Sequence, residues 1–132
     1  MKIDEIKIRV RYGETDQMGV VHHGNYVLYL EMGRIEWLRK LGVSYKSMEK
    51  NGVILPVVSL TINYKKPATY DDVLKIKTIL KNKPTAKIEF DYEITNENNE
   101  IITTASTTLV FVDAKTNKPI KAPKYLLDIL DN

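Results

Sequence analysis

The stretch TDQMGVVHHGNYVLYLEMGRIEWLRKLG, Thr15 to Gly42, carries the transition that decides the fold. Its first third is turn-forming and polar: Asp16 stands in a segment bracketed by Gly13 and Gly19. From Asn25 the period changes to that of a helix. Tyr26, Leu30, Gly33, Trp37 and Leu41 fall on one stripe, with Glu31, Arg34, Arg39 and Lys40 mostly elsewhere. Gly42 closes the helix, where a left-handed residue is expected. Gly33 inside the helix costs about 1 kcal/mol relative to alanine. Its presence predicts that the helix backbone lies close against a sheet.

Upstream, Ile6, Ile8, Val10 and Tyr12 alternate with Lys7, Arg9 and Arg11, the pattern of a half-buried strand. Downstream, a short helical stretch from Ser44 to Lys50 ends before Asn51-Gly52. Alternation then returns at Val58, Leu60, Ile62 and Tyr64, at Leu74, Ile76, Thr78 and Leu80, and at Ala86, Ile88, Phe90, Tyr92 and Ile94. Residues 101–112 are rich in Thr and Val, as strands are. Turn signals stand at Lys83-Pro84 and at Asn96 to Asn99. Tyr125 to Leu130 reads as a terminal helix. One long helix with five strands joined mostly by tight connections is α+β, an antiparallel sheet wrapped on the helix. Ile79, Val110 and Val112 are expected on the sheet's outer face. That face or an edge strand is expected to be covered by another subunit.

The chain of 132 residues is read as one domain, 1–132, long enough for a real core. A hydrophobic fraction of 43% excludes a disordered chain. With no cysteine, disulfides, thiolate nucleophiles and cysteine-held metals are excluded, and a reducing cytoplasm is compatible. The N-terminal residues lack the unbroken apolar core of a signal peptide, and no run reaches the length of a membrane span. A net charge of +3 suits solubility and a phosphate-bearing ligand. It is too small for nucleic acid, and no basic cluster interleaved with aromatics exists.

The segment RYGETDQMGVVHHGNYVLYLEMGRIEWLRKLG, Arg11 to Gly42, resembles the 4-hydroxybenzoyl-CoA thioesterase family. It is most similar to the bacterial acyl-CoA thioesterase subgroup associated with the Tol–Pal system. The pattern is Tyr12, Thr15-Asp16, Gly19, Val21, His23, Asn25-Tyr26, Glu31 and Arg34. Tyr64, Pro67-Ala68, Asp71-Asp72, Asp113 and Lys118-Pro119 extend it over nearly the whole chain. The resemblance implies the hot-dog fold, a long central helix wrapped by a five-stranded antiparallel sheet. It implies hydrolysis of an acyl-CoA without metal or other cofactor, by a homodimer or homotetramer with its pocket between subunits; a cytoplasmic location is expected from the lack of cysteine. Asp16 corresponds to the catalytic carboxylate, and His23 to the residue whose main-chain N–H polarises the thioester carbonyl. Relatives acting on aromatic acyl groups often carry Pro after the acid, where this chain has Gln17. That departure weakens transfer of the 4-hydroxybenzoyl substrate.

An aspartate in an open turn is a carboxylate at neutral pH. It can attack the thioester to give a transient anhydride, or deprotonate an attacking water. Most Thr-Asp pairs only cap a turn; the resemblance moves the reading to catalysis. The first helical turn has unpaired N–H groups, and one such donor contributes roughly 2.7–4 kcal/mol to a developing oxyanion. The helix dipole contributes typically 0.3–1 kcal/mol, so placement of that donor outweighs the helix field. The imidazole of His23 is therefore secondary. His22 and His23 lack the ligand spacing of a metal site, and no serine carries a nucleophile-elbow signature. Val21, His22, Tyr26, Tyr64, Lys65 and Lys66 are the remaining candidates for substrate contact, the lysines as point charges for CoA phosphates. Glu31 is a rival acid, with an ion pair to Arg34 three positions on as the plainer expectation. Two other functions stand beside hydrolysis: an acyl-CoA binding or sensing module, and a hot-dog hydratase or dehydratase acting on enoyl or hydroxyacyl thioesters.

Overall fold

The computed structural model describes residues 2–131. Its main sheet has five antiparallel strands in the order β1-β4-β5-β6-β3, formed by β1 (Ile3–Arg9), β3 (Val57–Tyr64), β4 (Val73–Leu80), β5 (Lys87–Thr95) and β6 (Ile101–Val110). A second, two-stranded sheet joins β2 (Val53–Ile54) to β7 (Val112–Asp113). The long helix α1 (Asn25–Lys40) lies on the inner face of the main sheet, followed by the short α2 (Tyr45–Lys50) and, at the end, α3 (Lys124–Leu130).

The expected periods appear with their physical consequences. In β4 and β5 alternate side chains are buried: Leu74, Ile76, Thr78 and Leu80 in one, Ile88, Phe90, Tyr92 and Ile94 in the other. Register stacks them into rows. One row runs Ile6, Ile76, Ile94, Thr103 and Tyr64 across all five strands of the main sheet. It begins under the helix and ends on the edge strand. The helix turns Tyr26, Tyr29, Leu30, Gly33, Trp37 and Leu38 onto this face. Trp37 meets Phe90 edge to face at 5.0 Å between ring centroids. Gly42 stops the helix with φ +89°, and Ser44 caps α2 by accepting the Ser47 N–H.

Several details differ from the sequence reading. Tyr12 does not continue the strand; it opens a 3-10 turn at Tyr12–Glu14 and is 76% exposed. The chain leaves the ladder because Val10 bonds instead to the 71–72 loop, through Val10 N–H to Asp72 O and Asp71 N–H to Val10 O. Val112 is not on the outer face. It is buried, paired with Ile54 in the small sheet. Two-residue strands leave too short a pattern to be read from sequence. Ile79 and Val110 are half-buried on the outer face. The exposed apolar surface lies elsewhere, on β3 (Val57, Val58, Leu60, Tyr64) and on the flank of α1 (Val27, Leu28, Met32).

Gly33 fits its expected role. A Cβ there would lie 2.6 Å from Thr78 Oγ1 and 2.9 Å from Ile76 Cγ2, both on buried β-branched side chains of β4. Alanine would gain about 1 kcal/mol in helix propensity. Overpacking typically costs about 1–3 kcal/mol. Because Ile76 Cγ2 branches from Cβ and cannot swing away, overpacking wins. Gly33→Ala is expected to lower the urea midpoint, by a net loss of up to about 2 kcal/mol. An unchanged or raised midpoint would show that helix and sheet do not touch here.

Candidate active site

The site is built where the turn after β1 meets the start of α1. Asp16 sits at the head of a tight turn: Gly19 N–H donates to Asp16 O at 3.0 Å, with Gly19 at φ +79°. The Asp16 N–H closes back onto Val20 O at 2.9 Å. Asp16 Oδ1 accepts the Met18 N–H at 2.9 Å, holding the carboxylate against its own turn. Its other oxygen accepts no hydrogen bond among the described residues, and the side chain is exposed to the cleft.

From Val21 to Tyr26 the main-chain donors are spoken for, with one exception among the described residues. Val21 N–H goes to Ala68 O, His22 N–H to Glu14 O, Asn25 N–H to His22 O and Tyr26 N–H to His23 O. Gly24 N–H goes to His22 Nδ1 at 3.1 Å. Only the His23 N–H in this run has no acceptor among the described residues. Its direction is fixed all the same. The peptide carrying it has His22 O as its carbonyl, which Asn25 N–H holds at 2.9 Å. In a trans peptide the N–H points opposite to that carbonyl. The Tyr64 hydroxyl donates to His23 O at 3.1 Å, tying the same segment to the end of β3.

Asp16, Val20, Val21, His23, Tyr26, Tyr64, Lys65, Lys66 and Pro67 line one open cleft of about 330 Å³. Of the residues singled out from the sequence for catalysis or substrate contact, His22 and the rival acid Glu31 are outside it. The His22 ring takes the Gly24 N–H on Nδ1 and stacks on the His23 ring at 4.3 Å. As an acceptor there, a neutral His22 carries its proton on Nε2. Tyr26 forms a buried wall, edge-on to Tyr64 at 5.4 Å, and burial raises its hydroxyl above the ordinary phenol value. The two lysines separate. Lys66 is ion-paired with Glu100, whereas Lys65 has no carboxylate partner among the described residues. Glu31 is not in this cleft; it pairs loosely with Arg34 at 3.9 Å, as its spacing suggested. Among the described residues no three His, Cys, Asp or Glu side chains are grouped to hold a metal.

One residue of the site escaped the sequence reading. Glu14 is 14% exposed, and its carboxylate accepts four hydrogen bonds. Oε1 takes the Arg11 N–H and the Tyr29 hydroxyl at 2.9 and 2.8 Å; Oε2 takes Arg11 Nε and Nη2 at 3.0 and 2.9 Å. Its main-chain oxygen accepts the His22 N–H and the Asn25 side-chain amide, each at 2.9 Å. The local signal was present in the Arg11–Glu14 spacing. The partner on α1, Tyr29, is fifteen residues away and leaves no local trace.

A long helix gripped by a curved antiparallel sheet, with an acid turn set against the helix start, defines a protein of the hot-dog fold. The match to the thioesterase-like superfamily covers residues 10–130, and the chain belongs to that family. It is 38% identical to YneP of Bacillus subtilis (strain 168) over 97% of this chain and 93% of YneP. It is 33% identical to the acyl-CoA thioester hydrolase YbgC of Escherichia coli O157:H7, over 91% of this chain and 90% of that protein. The crystal structure of a DHNA-CoA thioesterase from Staphylococcus aureus superimposes with a TM-score of 0.92 at 41% identity, covering 99% of this chain and 88% of that one.

The Glu14 contacts have a pH signature. Burial works to raise its carboxyl, but the Arg11 main-chain N–H, the Arg11 guanidinium and the Tyr29 hydroxyl outweigh burial and hold it below its ordinary value of 4.5. A depressed folded-state value adds stability that is present above the unfolded value and is lost as pH falls through the folded one. Thermal melts between neutral pH and about pH 3 should therefore show a shallower acid limb for Glu14→Gln than for wild type. Parallel acid limbs would show that these contacts do not stabilise the carboxylate.

Proposed function

We propose that this chain hydrolyses an acyl-CoA thioester to the free acid and CoA, with Asp16 as its catalytic carboxylate and the His23 main-chain N–H as its oxyanion donor. One observation carries the reading. The cleft holding a carboxylate with a free oxygen also holds His23, whose N–H is the single unused donor at the helix start. The likeness to YbgC and to the S. aureus enzyme, both named for CoA thioester hydrolysis, supports CoA as the carrier.

The thioester oxygen accepts the His23 N–H, which strengthens as negative charge develops there. Asp16 then acts by one of two routes from the same placement. As nucleophile, its free oxygen bonds to the carbonyl carbon, the C–S bond breaks, CoA leaves as thiolate, and water later cleaves the mixed anhydride. As general base, it takes a proton from water while the water oxygen attacks that carbon and CoA leaves as thiolate. Val21, Tyr26 and Tyr64 wall the acyl end, and Lys65 is the cation left to meet a CoA phosphate. The domain is a single unit, and the absence of cysteine accords with a cytoplasmic setting. Among the described residues no helix is long and apolar enough to cross a membrane.

Thiol release from a panel of acyl-CoAs tests the assignment. Asp16→Asn should lower kcat by roughly 100-fold or more, because it removes the charge of a base or nucleophile. His23→Ala retains the peptide N–H and should cost less than about tenfold. Equal rates for Asp16→Asn and wild type would refute the role of Asp16. Loss of enoyl absorbance without thiol release would favour a hydratase, and tight binding with neither would favour a sensor.

The same reading includes a homo-oligomer. Tyr64 belongs both to the cleft and to the exposed apolar edge formed by β3 and the flank of α1. A second copy laid on that edge would cover Val57, Leu60 and Met32 and narrow the cleft. Sedimentation at micromolar concentration should give at least a dimer, and a stable monomer would refute this part.

A further inference from the structure

Two chain segments must be held in fixed relation for the proposed chemistry: the turn bearing Asp16 and the helix start bearing His23. We infer that Glu14 is the positioning residue that sets this relation, by clasping the Arg11–Thr15 segment to α1 through Tyr29 and to the helix start through its own carbonyl.

The geometry allows Glu14 no other work. A carboxylate offers about four acceptor sites, and all four are filled by Arg11 and Tyr29. It is thus neither a spare base nor a rival to Asp16. Its main-chain oxygen is equally committed, taking the His22 N–H and the Asn25 Nδ2 amide. The first bond holds the residue immediately before the free donor; the second holds the first residue of α1. Thr15, next to Glu14, adds a hydroxyl bond to Tyr12 O at 2.7 Å and pairs with Val21 across the turn. Asp16 follows directly. Movement of Glu14 therefore moves the acid and the oxyanion donor relative to each other, without touching either one's substrate contacts. Tyr29 is an anchor of suitable stiffness: it is 1% exposed, with its ring packed edge-on to Tyr26 at 5.7 Å. Burial, followed by the adjacent Glu14 carboxylate, pushes its hydroxyl well above the usual phenol value, so it remains a donor.

The inference rests on the thioesterase reading for its catalytic half and on geometry for the rest, and two measurements separate them. Tyr29→Phe deletes one hydroxyl and keeps the ring; Glu14→Gln keeps the shape and removes the charge. Each should lower kcat for thiol release about tenfold or more, with KM within about twofold, because misplacement acts on the transition state. The double variant should be no slower than the slower single, and in an Asp16→Asn background neither change should lower the residual rate further. Independently of turnover, the His22 amide should exchange with solvent faster in Tyr29→Phe, while β5 amides stay as in wild type. The proposal is overturned by wild-type kcat in both variants, by a loss confined to KM, by equal losses in the Asp16→Asn background, by losses that track the unfolded fraction in parallel urea titrations, or by an unchanged His22 exchange rate. A wild type that releases no thiol from any acyl-CoA refutes the proposed function instead, and the exchange rates then decide the clasp alone.

Discussion

The close contact of helix and sheet at Gly33 is the constraint from which the rest of the molecule is hung. With no Cβ at this position, α1 settles directly over Ile76 and Thr78. The flanking stripe of Tyr26, Tyr29, Leu30, Trp37 and Leu38 can then reach the inner face of the sheet. A helix held a methyl group higher would lift that whole stripe, since interiors packed at crystal-like density do not absorb such a shift smoothly. The height of α1 also sets where its first turn emerges. That turn comes out beside Tyr64, at the far end of the row that begins with Ile6 and crosses the sheet.

At that emergence point the electrostatics are arranged by subtraction. Most polar groups near the helix start are already satisfied by one another: Glu14 by Arg11 and Tyr29, the His22 ring by Gly24, the carbonyl of His23 by Tyr64. Among the described residues, one oxygen of Asp16 accepts no hydrogen bond and the N–H of His23 donates none, and both residues face one cleft. Preorganised groups of this kind have already been turned into position before the reaction begins, so little reorganisation is left for the transition state. The surrounding bonds leave these two groups without a partner among the described residues.

Much of this was legible in the sequence because it is written in local periods. The change from a period of two to 3.6 near Asn25, the stop at Gly42 and the alternation in β4 and β5 each follow from backbone geometry alone. Asp16 and His23 were singled out through a spaced motif, and the structure sets both on one cleft; the Glu31–Arg34 pair was legible from its spacing, three residues apart on one helix. The readings that missed share a cause. Tyr12 continues the alternation of β1 but is redirected by the distant residues Asp71 and Asp72. Val112 looks like the end of β6 but pairs with Ile54. His22 stands beside His23, yet a bond to the Gly24 N–H commits its ring to the loop.

The amino-acid order alone determined the long helix, the main strands, the α+β class and the close-contact role of Gly33, and it singled out Asp16 as the candidate acid. Each of these depends on neighbours within a few residues, or on a motif contiguous in the chain. Tertiary structure alone decided which N–H stays free, which lysine stays unpaired, and that Glu14 joins the acid turn to the helix. Those facts depend on partners outside any one local period, some of them tens of residues away, brought to within 3 Å or so by packing. A hydrogen bond vanishes over an ångström of displacement, whereas a period survives in the chain whether or not it has folded.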